Sequence, residues 1–203
     1  MSKNNSSFRK PQPSEGGIVG QWIFENGKMF GDYSCQRIDW LVNNYLQVVN
    51  SSDGGWTKTY QDPEDGRYWQ HTYPKSYMQG GGPPMLEYVT PVTIAYKQIK
   101  DALIGTLNER GYEMINERYY FESFGSRYTV WSNHQRAFRL IWDGKERQFV
   151  LERANTLPLS EATHWADVIT INYDARVHDN EYLNRATQEI VDTFRKSGGE
   201  YIV

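Results

Sequence analysis

The chain has 203 residues, 22 Lys and Arg against 25 Asp and Glu, and a formal net charge of -3, a balance that gives no global electrostatic case for nucleic acid. Its length suffices for one domain or two small ones with real cores, and with 15 Tyr and 7 Trp those cores must rely on large rings whose polar atoms need partners. A single Cys excludes an intrachain disulfide and, with only 4 His, disfavours a structural zinc site.

No apolar run approaches the ~18 residues of a membrane helix, and the N-terminus lacks the apolar core of a signal peptide, so a cytoplasmic location is the default expectation. Residues 1–15 are mostly Ser, Asn, Lys and Pro with little to bury and read as a disordered arm. Val19, Trp22 and Phe24 flank Asn26-Gly27, a dipeptide suited to a type I′ turn, which predicts a hairpin over 18–32. Ser34 is placed to cap a helix in which Ile38, Leu41, Val42, Tyr45, Leu46 and Val49 recur at helical spacing, with residues 50–55 ending it. Strands over 56–60 and 67–73 follow, joined by the turn Asp62-Pro63-Glu64-Asp65-Gly66 and continued by an irregular Gly/Pro segment through Pro84.

Thr90-Pro91 reads as an N-cap and first helical residue, and Val92, Ala95, Ile99, Ala102, Leu103 and Leu107 hold helical spacing up to Gly111. Strands over 112–121 and 126–131, a hairpin of 138–142 with 148–151 around Asp143-Gly144, and a strand over 168–173 lead to a last helix over 181–196, stopped by Gly198-Gly199. The expected class is α+β: two small units, each of antiparallel strands packed against helices, divided as an arm (1–15), a first domain (16–90) and a second domain of helix, β-meander and helix (91–203).

Chemistry-bearing motifs are sparse. The histidines His71, His134, His164 and His178 show no metal-ligand spacing, so no metal and no cofactor is expected. Cys35 sits at a helix start, where a dipole lowers thiol pKa, but no His partner is suggested and a packed small residue is the better account. Gly80-Gly81-Gly82 is followed by Pro83-Pro84, which removes the N–H donors a phosphate loop uses. With Gly66 at the sixth position of a calcium loop, Gln61 and Pro63 would fall on ligand positions, so the pattern fails. Arg127, Arg136, Arg139, Arg147 and Arg153 interleave with aromatics as base-stacking residues do, yet Asp143, Glu146 and Glu152 offset them, and nucleic-acid binding is disfavoured.

The richest stretch is 62–84. Asp62, Glu64 and Asp65 beside Tyr60, Tyr68, Trp69 and Tyr73 can form a negative, aromatic-rimmed patch suited to a basic protein surface; a solvated turn above a packed aromatic strand accounts for the same residues. Strand alternation puts Arg67, Trp69, His71 and Tyr73 on one face and Tyr68, Gln70 and Thr72 on the other, with rings on both. Burying three carboxylates together is costly, so the turn is expected to be exposed.

The ordered string Gly55-Trp56, Tyr60, Asp62-Pro63, Asp65-Gly66-Arg67-Tyr68-Trp69, Thr72-Tyr73-Pro74 and Gly80-Gly81-Gly82-Pro83-Pro84 resembles the immunity 27 family of bacterial polymorphic-toxin systems. Upstream, Gly20, Trp22, Gly31-Asp32, Cys35, Arg37-Ile38 and Leu41 are similar to the opening of that family, and the resemblance covers about residues 16 to 97. The chain departs from the pattern at Gln70, His71 and Gln79. The resemblance implies a non-catalytic protein that neutralises a cognate toxin domain by stoichiometric binding, with Asp62, Glu64, Asp65, Arg67, Tyr68, Trp69, His71 and Tyr73 as candidate toxin contacts. Alternatives from other classes are a hydrolase with a dispersed site around His71 and the nearby carboxylates, and an adaptor whose second half recruits another protein. No oligomeric state is implied.

Overall fold

The computed structural model describes residues 8–75, 77–78, 81–120, 122–175 and 180–197. The expectations placed on Gln79, Gly80, Phe121, His178 and Gly198-Gly199 lie outside the described residues, as do residues 1–7 of the arm. The chain is α+β and divides after Thr90 into two units, Met1–Thr90 and Pro91–Val203.

In the first unit, β1 (Gly17–Val19), β4 (Gln47–Ser52), β5 (Thr57–Gln61), β6 (Tyr68–Thr72) and β7 (Met85–Val89) form one antiparallel sheet in the order β1-β7-β6-β5-β4. The helix α1 (Tyr33–Asn44) packs on one face, where Ile38 and Leu41 meet Ile18, Tyr60, Trp69 and Leu86. The pairings Tyr60↔Trp69 and His71↔Leu86 put Tyr60, Trp69, His71 and Leu86 on this buried face, so Tyr68, Gln70 and Thr72 belong to the opposite one. That settles an alternation the rings alone left open.

Three local details differ from expectation. Asp32, not Ser34, caps α1: its carboxylate accepts from Cys35 N–H at 2.8 Å. The helix stops at Asn44, because the N–H groups of Tyr45 and Leu46 both fold back onto Leu41 O at 3.1 and 2.8 Å, so Val48 and Val49 continue into β4 instead of the helix. Residues 85–89, where no strand is predicted, form β7, which pairs with β1 on one side and β6 on the other.

A second correction concerns the arm, because residues 8–15 are docked. Arg37, buried in α1, donates from Nε to Arg9 O at 2.8 Å and from Nη2 to Lys10 O at 3.1 Å, and grips both Glu15 carboxylate oxygens at 2.6 and 2.8 Å. Arg67 donates to the carbonyls of Gln12, Pro13 and Glu15 at 3.0 to 3.3 Å. Phe8 packs on Tyr33 and Trp40. Its backbone carbonyls satisfy two guanidinium forks, and the side chains of Glu15 and Phe8 add an ion pair and a ring contact.

The remaining strands of this unit, β2 (Trp22–Glu25) and β3 (Lys28–Gly31), form a separate two-stranded hairpin. Asn26 and Gly27 have φ of 50° and 74°, the positive pair a type I′ turn requires. The hairpin approaches α1 at its base. There Asp32 N–H bonds Gln21 O at 2.9 Å, and a Cβ at Gly31 would meet Cys35 Cβ at 2.6 Å, so only glycine admits the helix this close.

In the second unit, β8 (Glu113–Tyr120), β9 (Ser126–Ser132), β10 (Ala137–Asp143), β11 (Gln148–Ala154) and β12 (Ala166–Asn172) make a sequential antiparallel meander. The helices α2 (Pro91–Glu109) and α3 (Asn180–Ser197) share one face, where Ile99, Leu103, Leu183, Ile190 and Phe194 close over Phe138, Leu140, Trp142 and Phe149. On the other face Leu157, Leu159 and Trp165 pack on Val130, Ala137 and Ala154. No helix among the described residues is long and apolar enough to cross a membrane.

Candidate protein-binding surface

The eight residues singled out as partner contacts fall into three groups. Asp62 is 2% exposed, contrary to the expected open turn, and is internal wiring: its Oδ1 accepts from Tyr45 O–H at 2.7 Å and from Glu64 N–H at 2.9 Å. One carboxylate taken from water is compensated by these bonds, which is why the three acids do not behave alike. Burial, and then the bond to Asp62, raises the Tyr45 pKa, keeping the hydroxyl a donor. Glu64 is exposed but paired with Lys10, and Asp65 accepts from Arg67 Nε at 2.7 Å. Arg67 lies 5.1 Å over the Trp69 ring while clamping the 12–15 segment. These residues brace the β5–β6 turn against the N-terminal segment.

Trp69 is fully buried and belongs to the core, not to a contact surface. His71 and Tyr73 are half-buried near the other end of β6; the His71 ring lies 5.0 Å from Tyr73 and 6.4 Å from Tyr60, and Tyr73 meets Trp56 edge-on. Among the described residues His71 Nε2 finds no hydrogen-bond partner, and burial, with Lys58 adding repulsion, lowers its pKa. His71 pairs with Lys58, three ladder steps from the Gln61↔Tyr68 pair that adjoins the acidic turn, so the carboxylates and this imidazole are not gathered into one reacting group. Tyr68 stands on the opposite sheet face, half-buried. The predicted patch therefore does not exist as a single surface.

Other chemistry-bearing residues are likewise used internally. Cys35 is buried, its pKa raised by burial and by Asp32, and its thiol faces Gln21 O at 3.5 Å. Arg139 stacks on Trp165 at 4.3 Å while paired with Glu152 at 2.6 Å, and Arg127 stacks on Tyr119 at 4.6 Å. The rings beside these two arginines are thus already covered by them. A cavity of about 410 Å³ beside α2 holds Lys97 and Lys100, which pair with Asp101 and Glu117 at 2.6 and 2.7 Å. Among the described residues no three His, Cys, Asp or Glu side chains come together to hold a metal ion.

The uncovered apolar surface of the first unit is concentrated elsewhere, on the β2–β3 hairpin. Ile23, Phe24, Met29 and Phe30 are all exposed, Phe24 to 76%, and Trp22 and Tyr33 add exposed rings near its base. The register Ile23↔Phe30 and Phe24↔Met29 places one apolar pair on each face. Asn26-Gly27 announced the hairpin, but nothing local to the sequence says that both of its faces remain open; that depends on where the sheet places α1.

Comparison with known proteins agrees with the resemblance carried by the glycine and aromatic string. The family model described as Immunity protein 27 matches residues 24–90, about a third of the chain, from within β2 to the last residue of the first unit. No curated protein and no solved structure matches the chain. The N-terminal unit is therefore similar, over residues 24–90, to a family of immunity proteins, and the second unit lies beyond the match.

Proposed function

We propose that the protein neutralises a cognate bacterial toxin domain by stoichiometric binding, without chemistry of its own, in the cytoplasm of the cell that makes it. The observation that carries this reading is the match of residues 24–90 to an immunity protein family. It is supported by the uncovered apolar hairpin within the same unit, since a surface of this kind is what a protein partner covers. The second unit, with its own core, either extends the binding surface or serves a separate partner.

The test is co-expression with the C-terminal domain of the polypeptide encoded immediately upstream. Growth arrest by that domain should be relieved, and the purified pair should migrate as one complex of fixed stoichiometry in light scattering. Growth that stays arrested, with no complex between the purified proteins, overturns the reading.

A further inference from the structure

We infer that the β2–β3 hairpin is the element that enters the toxin, and that it is received by a cleft of the partner protein with apolar walls on both sides. This rests on the reading above and names the surface that performs it. Isolated two-stranded hairpins are marginal in water and are normally covered on at least one face. Here the base is fastened through Asp32 and Gly31, and beyond it Ile23 and Phe30 stand on one face and Phe24 and Met29 on the other, all exposed.

The area fits such a role: Trp22, Ile23, Phe24, Met29, Phe30 and Tyr33 together leave on the order of 800 Å² open, the footprint per partner of a standard protein–protein interface. The type I′ turn presets the shape, so little conformational entropy is lost on docking.

The two-sidedness decides the occupant. A second copy stacking its own hairpin through a two-fold axis covers one face and leaves the other wet. A bilayer would have to receive first the tip Glu25-Asn26-Gly27-Lys28, where an acid and a base are directly paired across the strands. A protein cleft covers both faces and lets that tip emerge on the far side or meet polar groups, and the tip's cancelling charges ask for no particular sign in the walls.

The experiment measures binding of the full chain to the toxin domain encoded upstream, held in a catalytically inactive form. The variants are F24S/M29S on one face and I23S/F30S on the other, with F24S alone as the variant least able to disturb the fold. Each double variant should raise Kd at least 100-fold, about 1.4 kcal/mol for each of two anchoring side chains, and F24S at least tenfold. In the wild-type complex, amides of residues 22–31 should gain protection from hydrogen exchange. Unchanged affinity in both double variants, with the wild type still binding, overturns the hairpin and leaves the immunity reading standing. Loss from one face only overturns the cleft. Concentration-dependent dimers of the free protein that F24S/M29S abolishes assign the hairpin to a second copy, and flotation on phosphatidylglycerol vesicles that F24S/M29S abolishes assigns it to a membrane; either overturns the inference. Absence of any wild-type complex overturns the immunity reading and the hairpin with it.

Discussion

Glu15→Gln should loosen the first unit by about 2 to 3 kcal/mol at neutral pH, and the reason is visible in one ion pair. Glu15 holds Arg37 through both carboxylate oxygens at 2.6 and 2.8 Å, with 7% of the Arg37 side chain and 17% of the Glu15 side chain exposed. The bonds from Arg37 lower the Glu15 pKa from 4.5 to about 2. A shift of that size corresponds to about 3 kcal/mol of coupling to folding, reduced somewhat because water still reaches the carboxylate rim. Removing one partner of a buried pair also leaves the other charge uncompensated, a cost of about 3 to 5 kcal/mol in general; here Arg9 O and Lys10 O still satisfy part of the guanidinium, which places the loss at the lower end. Because the folded pKa is depressed, this stabilisation is full above pH 4.5 and is lost as pH falls towards about 2. Urea-dependent hydrogen exchange, read on peptides from 16–90 so that unfolding of the second unit does not obscure it, should show wild type and variant well separated at pH 7 and converging near pH 2. A difference below about 0.5 kcal/mol at pH 7, within the range of ordinary surface changes, would refute the claim that residues 8–15 are fastened through this pair.

His71 should make the first unit acid-sensitive in a separate window. Its folded pKa is lowered by burial and Lys58, so the unfolded chain binds the proton more tightly, and stability should fall as pH drops below about 6.5, the unperturbed value for histidine. The urea midpoint of wild type should decline between pH 7.5 and 5.5 while that of H71Q stays flatter; parallel slopes would remove His71 as the cause. Charge reversal in the turn, E64K/D65K, should cost about 1 kcal/mol or more, because it replaces attraction to Lys10 and Arg67 with repulsion and removes the Asp65 acceptor for Arg67 N–H. Unchanged stability in that double variant would restore the picture of a freely solvated turn.

What could be read from the sequence follows the range of the signals. The second unit is almost wholly periodic: α2, α3 and the β10–β11 hairpin announce themselves through spacing and turn residues within a few positions of one another. In the first unit, apolar spacing carried the helix reading through Val49, although Leu46 N–H folds back onto Leu41 O and ends it before Gln47. The strand β7 is five residues long and pairs with β1, about seventy positions away, an arrangement no local pattern announces. Asp62 looked like its acidic neighbours because its hydrogen-bond donor, Tyr45, sits seventeen positions upstream. The docking of residues 8–15 is hidden for a related reason: Glu15 and the backbone carbonyls are held by Arg37 and Arg67, which lie far along the chain.

Most of the residues that carry the family resemblance serve the interior of the unit, Trp22 at the base of the hairpin excepted. Gly20 and Gly31 leave room for Cys35, Asp32 caps α1, Arg37 and Arg67 hold the N-terminal segment, Leu41, Tyr60 and Trp69 fill the core, and Asp62 ties the turn to Tyr45. Each of those positions is fixed by a packing or hydrogen-bond requirement inside the unit, so changing it to suit a new partner would cost the fold. Ile23, Phe24, Met29 and Phe30 carry no such obligation, since their side chains are exposed beyond a base fastened by other residues. Recognition placed on the hairpin, as proposed above, can change while Asp32, Cys35, Trp69 and the clamps of Arg37 and Arg67 stay as they are, a division of labour that suits a protein matched to one particular partner.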